Sequence, residues 1–398
     1  MNNFFDKYPL PYPYNVKERI DNGLRLPFDL KDEFKFIFPD TKKKKPNVLI
    51  VGCGFNEAIY HSLRNPKINF TAIDISSSVI DANNKQIQDY SIKNLNLINV
   101  NIMDFSDGDF DIIICSNFLS YQEDSLSFLI KLKSLLNKQG VIISDVLSSI
   151  YNDEIEKLYS SFKSIGYSFD NENDINDALT VIKSLDTFHP ARLSLLKVTK
   201  GQFSLDDFID INDFVLRYLI PIKKTFSVQS LFKLFKDADL NFQNWYDNSL
   251  YYPSINLSES FVPSFVNKLR ELPIIDQWNI ICALKGPYKE HYKHSFCLTN
   301  QDNIVVEPNF DCDDTFVSLR PYQNINTIPE STNKYILRAN FNKLLSKEEE
   351  LICDYLGDKN IKLNKLINDK KLLDQIDNLE DNLKKLFECS VIFFHKNY

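Results

Sequence analysis

The stretch "VLIVGCGFNEAIY", residues 48 to 60, limits the fold more than any other part of the chain. Four apolar residues, Val48 to Val51, run into Gly52 and Gly54, and a helix-like pattern begins at Glu57. Where a buried strand turns into a helix, glycine lets the backbone bend sharply and lets a ligand approach without meeting a Cβ. Only 9 of the 398 residues are glycine, well under the roughly 7% of average usage. Two of them flanking Cys53 therefore mark a constrained turn.

The blocks that follow set the fold class. Val48 to Val51, Phe70 to Ile73, Leu95 to Val100, Phe110 to Cys115 and Val141 to Val146 are strand-like and mostly continuous, the pattern of strands buried on both faces. Helical segments alternate with them. In Asp124 to Leu136, the residues Leu126, Leu129, Ile130, Leu132, Leu135 and Leu136 repeat at near-helical spacing, and Gly140 breaks into the next strand. The series predicts an α/β fold with a doubly wound parallel sheet.

Beyond it, residues 150 to 236 read as helices, at Glu154 to Ile165, Asp174 to Leu185, Leu205 to Tyr218 and Ser227 to Phe235. "LNFQNWY" (240 to 246) and "WNIICALKG" (278 to 286) read as a pair of strands that close the sheet. The tail shows strands near Ile304 to Val306 and Tyr335 to Asn340, then a helix from Lys347 to Leu356. The expected organisation is five segments: 1–40 covering the ligand site, 41–149 the ligand-binding core, 150–236 a helical insertion, 237–288 the closing strands and 289–398 a small α+β module.

The second strand ends in "FTAIDIS". Its Asp74, about twenty residues beyond the glycines, is placed to accept hydrogen bonds from both hydroxyls of a ribose. A dinucleotide turn wants a third glycine where Glu57 stands. A carboxylate there suits the helix dipole and repels a pyrophosphate. A phosphate-free nucleoside carrying a positive sulfonium meets no such conflict, which points to S-adenosylmethionine over NAD.

At these residues the sequence resembles the class I S-adenosylmethionine-dependent methyltransferases, over about residues 45 to 147 and more loosely to about 286. "VLIVGCGFNE", "FTAIDIS", "NVNIMDF", "FDIIICSNFLSY" and "LLNKQGVIISDV" carry the resemblance. It implies a Rossmann-like methyltransferase sheet, with Gly52, Cys53 and Gly54 under the methionine moiety. It implies Asp74 on the ribose, Ile75 against the adenine, Asp104 and Met103 near the adenine amino group, and Ser116, Asn117 and Phe118 facing the sulfonium and the acceptor. The chain departs from the family at Asn56, where many members have a glycine. Asparagine tolerates positive φ, and its amide can cap the following helix. No (D/N)PP(Y/F) signature follows the fourth strand, which disfavours the amide and adenine methylases that use it.

Methyl transfer from a sulfonium is an in-line displacement by a lone pair, so alignment and exclusion of water dominate and a general base is optional. Candidate acceptor-site residues are Asn117, Tyr121, Tyr14 and His189, with Tyr12, Arg19 and Glu123 as further groups, and each also has a plain packing role. His291, His294, Cys297 and Cys312 make a candidate zinc set, but the spacing suits an irregular strand better, and no metal is expected. The seven cysteines form no CxxC pair, as befits reduced thiols. A formal charge of -8 disfavours nucleic acid as partner. The run "TKKKKPN" (41 to 47) reads as a solvated linker, and the N-terminus has no signal-peptide pattern. These features predict a cytoplasmic methyltransferase with no membrane span, acting on a protein or small-molecule acceptor. A non-catalytic S-adenosylmethionine-binding scaffold is the alternative.

Overall fold

The computed structural model of the protein describes residues 2–8, 13–38, 45–186, 188–189, 191–192, 197–199, 202–204, 211–257, 262–285, 293–301, 307–310, 314–320, 325–327, 334–338 and 341–396. Three short helices lead in: α1 (Asn2–Lys7), α2 (Val16–Asp21) and α3 (Leu30–Ile37). The core then alternates β1 (Asn47–Val51), α4 (Glu57–Arg64), β2 (Asn69–Asp74), α5 (Ser77–Tyr90), β3 (Leu95–Asn99), β4 (Phe110–Cys115), α6 (Ser125–Leu135) and β5 (Leu136–Leu147). The insertion holds α7 (Ser149–Ile165), α8 (Glu172–Ser184), the hairpin β6 (Lys197–Thr199) and β7 (Gln202–Ser204), and α9 (Ile211–Tyr218). After it come α10 (Val228–Asp237), β8 (Asn241–Trp245), α11 (Pro253–Asn256), α12 (Pro263–Arg270), α13 (Ile274–Lys285) and β9 (Lys293–Thr299).

These strands form a seven-stranded sheet in the order β3-β2-β1-β4-β5-β9-β8. The first five are parallel; β9 runs antiparallel between β5 and β8. Period-two alternation divides the apolar residues between two faces. Leu49, Val51, Ile113, Cys115 and Ile142 pack on one face with Phe128, Leu132, Leu231, Phe235 and Trp278 of α6, α10 and α13. Val48, Ile50, Ile112, Ile114 and Ile143 pack on the other with Phe36, Ile37, Ala58 and Val79 of α3, α4 and α5. Both faces are covered, as the continuous apolar runs require.

The closing pair differs from expectation. Residues 278–285 of the run expected as a strand at 278–286 lie in α13, because their buried members Trp278, Ile281 and Cys282 recur at helical spacing, and residue 286 lies outside the described residues. The sheet position goes to β9 instead, the segment that carries His294 and Cys297 of the candidate zinc set. Three residues apart on a strand, His294 and Cys297 point to opposite faces. Cys297 packs with the α3 and α4 side, while His294 meets Tyr251 on the other. His291, Cys312 and the expected strand at 304–306 lie outside the described residues, as do lysines 42–44.

The insertion has its own core, in which Ile155, Tyr159, Phe162, Ile175, Ile182, Phe214 and Tyr218 pack together. The tail contributes a three-stranded sheet of β10 (Thr315–Leu319), β14 (Asn360–Lys362) and β15 (Ile392–Lys396), and a second of β11 (Ile325–Thr327), β12 (Lys334–Arg338) and β13 (Phe341–Leu344). Its helix Lys347–Leu356 has a Ser346–Glu349 capping box. No described helix is long and apolar enough to cross a membrane.

Candidate functional site

At the carboxyl end of β1 the chain turns through Gly52 and Gly54, both at positive φ, +67° and +55°. The amides of Gly52 and Cys53 donate to the Ile73 carbonyl at 2.9 and 3.3 Å, tying the turn to β2. Asn83 and Gln86 of α5 donate to the carbonyls of Gly54 and Phe55 and hold its outer edge. A Cβ on Gly52 would lie 2.6 Å from the Phe118 ring, so this position needs glycine for space as well as for φ. Gly52→Ala is therefore expected to destabilise the fold by about 1–3 kcal/mol and to displace Phe118. Chemical denaturation checks it, and a variant as stable as the parent would show that the ring has room to move.

Asp74 ends β2 with both carboxylate oxygens engaged: Oδ2 accepts from the Gly54 amide at 3.1 Å and Oδ1 from the Ser76 amide at 3.0 Å. Burial pushes its carboxyl above the ordinary range, and these backbone bonds pull it back. With the Ile75 amide as a third backbone donor, these bonds still leave the carboxylate acceptor capacity for a further donor.

Strand β4 ends at Cys115, and the chain reverses at Asn117, which takes the left-handed φ of +56°. Its amide donates to Asp145 Oδ1 on β5 at 2.5 Å. Asp145 is buried, which raises its carboxyl, and Lys293 of β9 offsets this from 3.3 Å. Ser116 donates to Glu57 Oε1 at 2.6 Å, linking the β4 end to the start of α4.

These residues border one cavity of about 450 Å³, within the range of small-molecule sites. Gly52, Gly54, Asp74, Ile75, Ser116, Asn117, Phe118 and Tyr121 line it, with Phe5 of α1 and Val79 of α5. The far wall comes from the insertion and β9: Asn152, Ile155, Asp213, Leu216, Arg217, Lys223 and Lys293. Arg217 pairs with Asp213 at 2.9 Å.

Lys223 sits on the link between α9 and α10. That link is pinned to the β4 and β5 ends by Lys224 N–H to the Ser120 carbonyl (2.7 Å) and Phe226 N–H to the Leu147 carbonyl (2.9 Å). Its ammonium donates to the Arg217 carbonyl at 2.8 Å and lies 4.9 Å from the centre of the Tyr159 ring. Burial lowers it to about 8, against the pull of Glu156. Both folded and unfolded chains hold this proton below pH 8, where the fold bears the full desolvation penalty. Between 8 and the model-peptide value of 10.5 the unfolded chain holds more protons, so the penalty fades as pH rises. Lys223→Met should stabilise the fold by about 1–3 kcal/mol near neutrality, and by less at about pH 9.5. Loss of stability at both pH values would refute it.

Several expected site residues lie elsewhere. Cys53 is buried with its side chain in the α3–α4 core, so only its backbone belongs to the turn. Asn56 precedes α4 at φ -133° with no side-chain cap; its Oδ1 instead accepts from the Tyr14 amide at 3.2 Å. The positive φ expected of it falls at Asn117. Tyr14 lies outside the cavity with its ring against Arg19, 4.1 Å from ring centre to guanidinium, and Tyr12 is outside the described residues. Met103 and Asp104 are exposed on the turn after β3 and are not part of the cavity lining. The carbonyl of Glu123 accepts from Lys224 at 2.5 Å. His189 is a local turn residue whose Nδ1 accepts from the Ala191 amide at 3.2 Å. The charged far wall and Phe5 were not legible. Of that wall, the Asp213–Arg217 spacing alone shows in the sequence, as an ordinary helical ion pair.

A sheet of this order, with a glycine turn and an acid at adjacent strand ends bordering one cavity, defines a nucleoside-cofactor transferase fold. Residues 49–142 match the family described as "Methyltransferase domain", and this core is that of a class I S-adenosylmethionine-dependent methyltransferase. A relative, the ubiquinone biosynthesis O-methyltransferase of Rickettsia conorii, is 23% identical over 208 residues, 50% of this chain and 71% of that protein. The structure of PKMT2 from Rickettsia typhi in complex with AdoHcy is similar with a TM-score of 0.62 at 17% identity, covering 97% of this chain and 77% of that one. A second structure of PKMT2 gives 0.60 at 16% identity, over 94% and 76%.

Proposed function

We propose that the cavity binds S-adenosylmethionine along the ends of β1, β2 and β4 and presents its methyl group to an acceptor reaching in along the insertion wall. The observation that carries this reading is the continuity of one lining from Gly52, Gly54 and Asp74 to Asn152, Asp213 and Lys223. The residues fit the cofactor. Gly54 leaves open space where a side chain would stand, and Asp74 retains acceptor capacity for ribose hydroxyls. The fold shared with PKMT2, whose structure holds AdoHcy, supports the choice of ligand.

When bound, the cofactor supplies an electrophilic methyl on sulfur. The chain's own residues do the rest. Asp74 grips the sugar, Ser116 and Asn117 border the methyl end, and Phe5, Phe118, Tyr121 and Leu147 exclude water. Lys223, held near 8, stands on the acceptor side as a group able to take a proton from an oxygen or nitrogen acceptor. The acceptor is a protein side chain or a small metabolite, and the acidic chain argues against nucleic acid.

An open cavity beside Phe118 and Tyr121 favours the enzyme over a scaffold that merely holds the nucleoside. Calorimetric titration with AdoHcy and NAD tests the site: AdoHcy alone should bind, and binding of NAD alone would overturn the reading. Transfer of radiolabelled methyl into the protein or the small-molecule fraction of an extract then tells the two acceptor classes apart.

A further inference from the structure

We propose that Asp6 of α1 is a positioning residue of the cofactor site, fixing Ser76 and through it Asp74, while the same helix lays Phe5 over the cavity. The inference rests on the S-adenosylmethionine reading above and deepens it.

Successive side chains of α1 go to three different places. Phe4 and Tyr8, one helical turn apart, face the insertion. Phe4 is fully buried with its ring 5.1 Å from Phe169, and the Tyr8 hydroxyl donates to the Phe169 carbonyl at 2.8 Å. Phe5 lines the cavity, edge-on to Tyr121 at 6.2 Å. Asp6, exposed, faces the start of α5, where its Oδ1 accepts from the hydroxyls of Ser76 and Ser78, the latter at 2.8 Å. The helix thus spans from the insertion to the start of α5.

Ser76 links Asp6 to Asp74. It is buried and caps α5, its Oγ accepting from the Val79 amide at 3.2 Å while its own amide donates to Asp74 Oδ1 at 3.0 Å. With Asp6 present, the Ser76 hydroxyl proton points at Asp6. Asp74 then keeps its remaining lone pairs for the ribose. Without Asp6 that proton is left to the Ser78 hydroxyl, 2.9 Å away, and to Asp74, where it competes with the sugar. A second carboxylate nearby also adds to what burial does first, making Asp74 a more basic acceptor. Asp6 is not part of the cavity lining; it acts on Asp74 through Ser76 and, to a smaller degree, through its own charge.

The test compares AdoHcy with its 2′-deoxyadenosyl counterpart on the full chain, by calorimetry. Asp6→Ala should weaken AdoHcy about tenfold, yet weaken the deoxy ligand about twofold or less, because part of the ribose contact is already missing. Asp6→Asn keeps an oxygen for both serines and should restore most of the loss. Ser78→Ala removes one donor to Asp6 together with the Ser78 hydroxyl that lies 2.9 Å from that of Ser76, while leaving Ser76 bonded to Asp6, and should show a smaller loss of the same pattern, which keeps the idea testable if Asp6→Ala folds poorly. Phe5→Ala should weaken both ligands alike. Equal penalties for both ligands in Asp6→Ala, or AdoHcy affinity within twofold of the parent, would overturn the proposal. If the parent itself fails to bind AdoHcy, the reading of the site has failed, whereas a binding parent with an indifferent Asp6 sinks this inference alone.

Discussion

Asp74→Ala is expected to weaken AdoHcy binding by about a hundredfold, or roughly 3 kcal/mol, while leaving the chain folded. Two losses combine. The ribose hydroxyls lose a charged acceptor, and the amides of Gly54 and Ser76 lose the carboxylate that aligns the turn with α5. Asp74→Asn separates the two, since the amide oxygen can still accept one backbone bond, and it should fall between parent and alanine. A pH series adds a check. Burial raises the Asp74 carboxyl above its ordinary value, and a ribose hydroxyl bonds more strongly to the ionised form, whose share falls as pH drops through that raised value. Affinity should therefore hold steady near neutrality and decline on acidification sooner than an exposed aspartate would allow. Binding by Asp74→Ala within threefold of the parent would remove the sugar contact from the description.

The largest stability effect is expected far from the cavity, at Glu33. Arg320, at the end of β10, is buried and reaches Glu33 of α3 through Nε and Nη2, at 2.9 and 2.6 Å to Oε2. Its Nη1 donates to the Tyr246 carbonyl at 2.7 Å, and its guanidinium lies 4.0 Å from the Phe36 ring centre and 4.7 Å from that of Tyr246. One side chain thus ties the tail to the lead-in helices and to the end of β8. Glu33→Gln leaves the guanidinium buried without its counter-charge and should cost about 3–5 kcal/mol. The double variant Glu33→Met with Arg320→Met should cost much less, because no charge remains buried. Denaturant unfolding of the four-member cycle measures the coupling, and simple additivity would show that the pair is no unit.

The glycine turn and Asp74 were legible because each falls where a strand of fixed period must stop, so sequence position translates directly into place at the sheet end. Ser116 and Asn117 followed from the same logic on β4. The far wall did not, because Asn152, Lys223 and Lys293 reach the cavity from an insertion and a strand whose placement depends on long-range packing. The run from Trp278 reads as a strand because a short, mostly apolar stretch shows no clear period until its buried positions are known. Asn56 misled differently: a polar residue at a helix start reads as a cap, and here the lead-in segment claims its oxygen.

The placement of β9 bears on how this protein is made. Seven residues of β5, Val141 to Leu147, find their outer partners only in residues 293–299. A ribosome that has released everything up to the insertion has therefore produced a sheet with a long apolar margin open to any passing strand. During that interval of synthesis the nascent chain is most exposed to mispairing with its siblings, and chaperone demand should peak there.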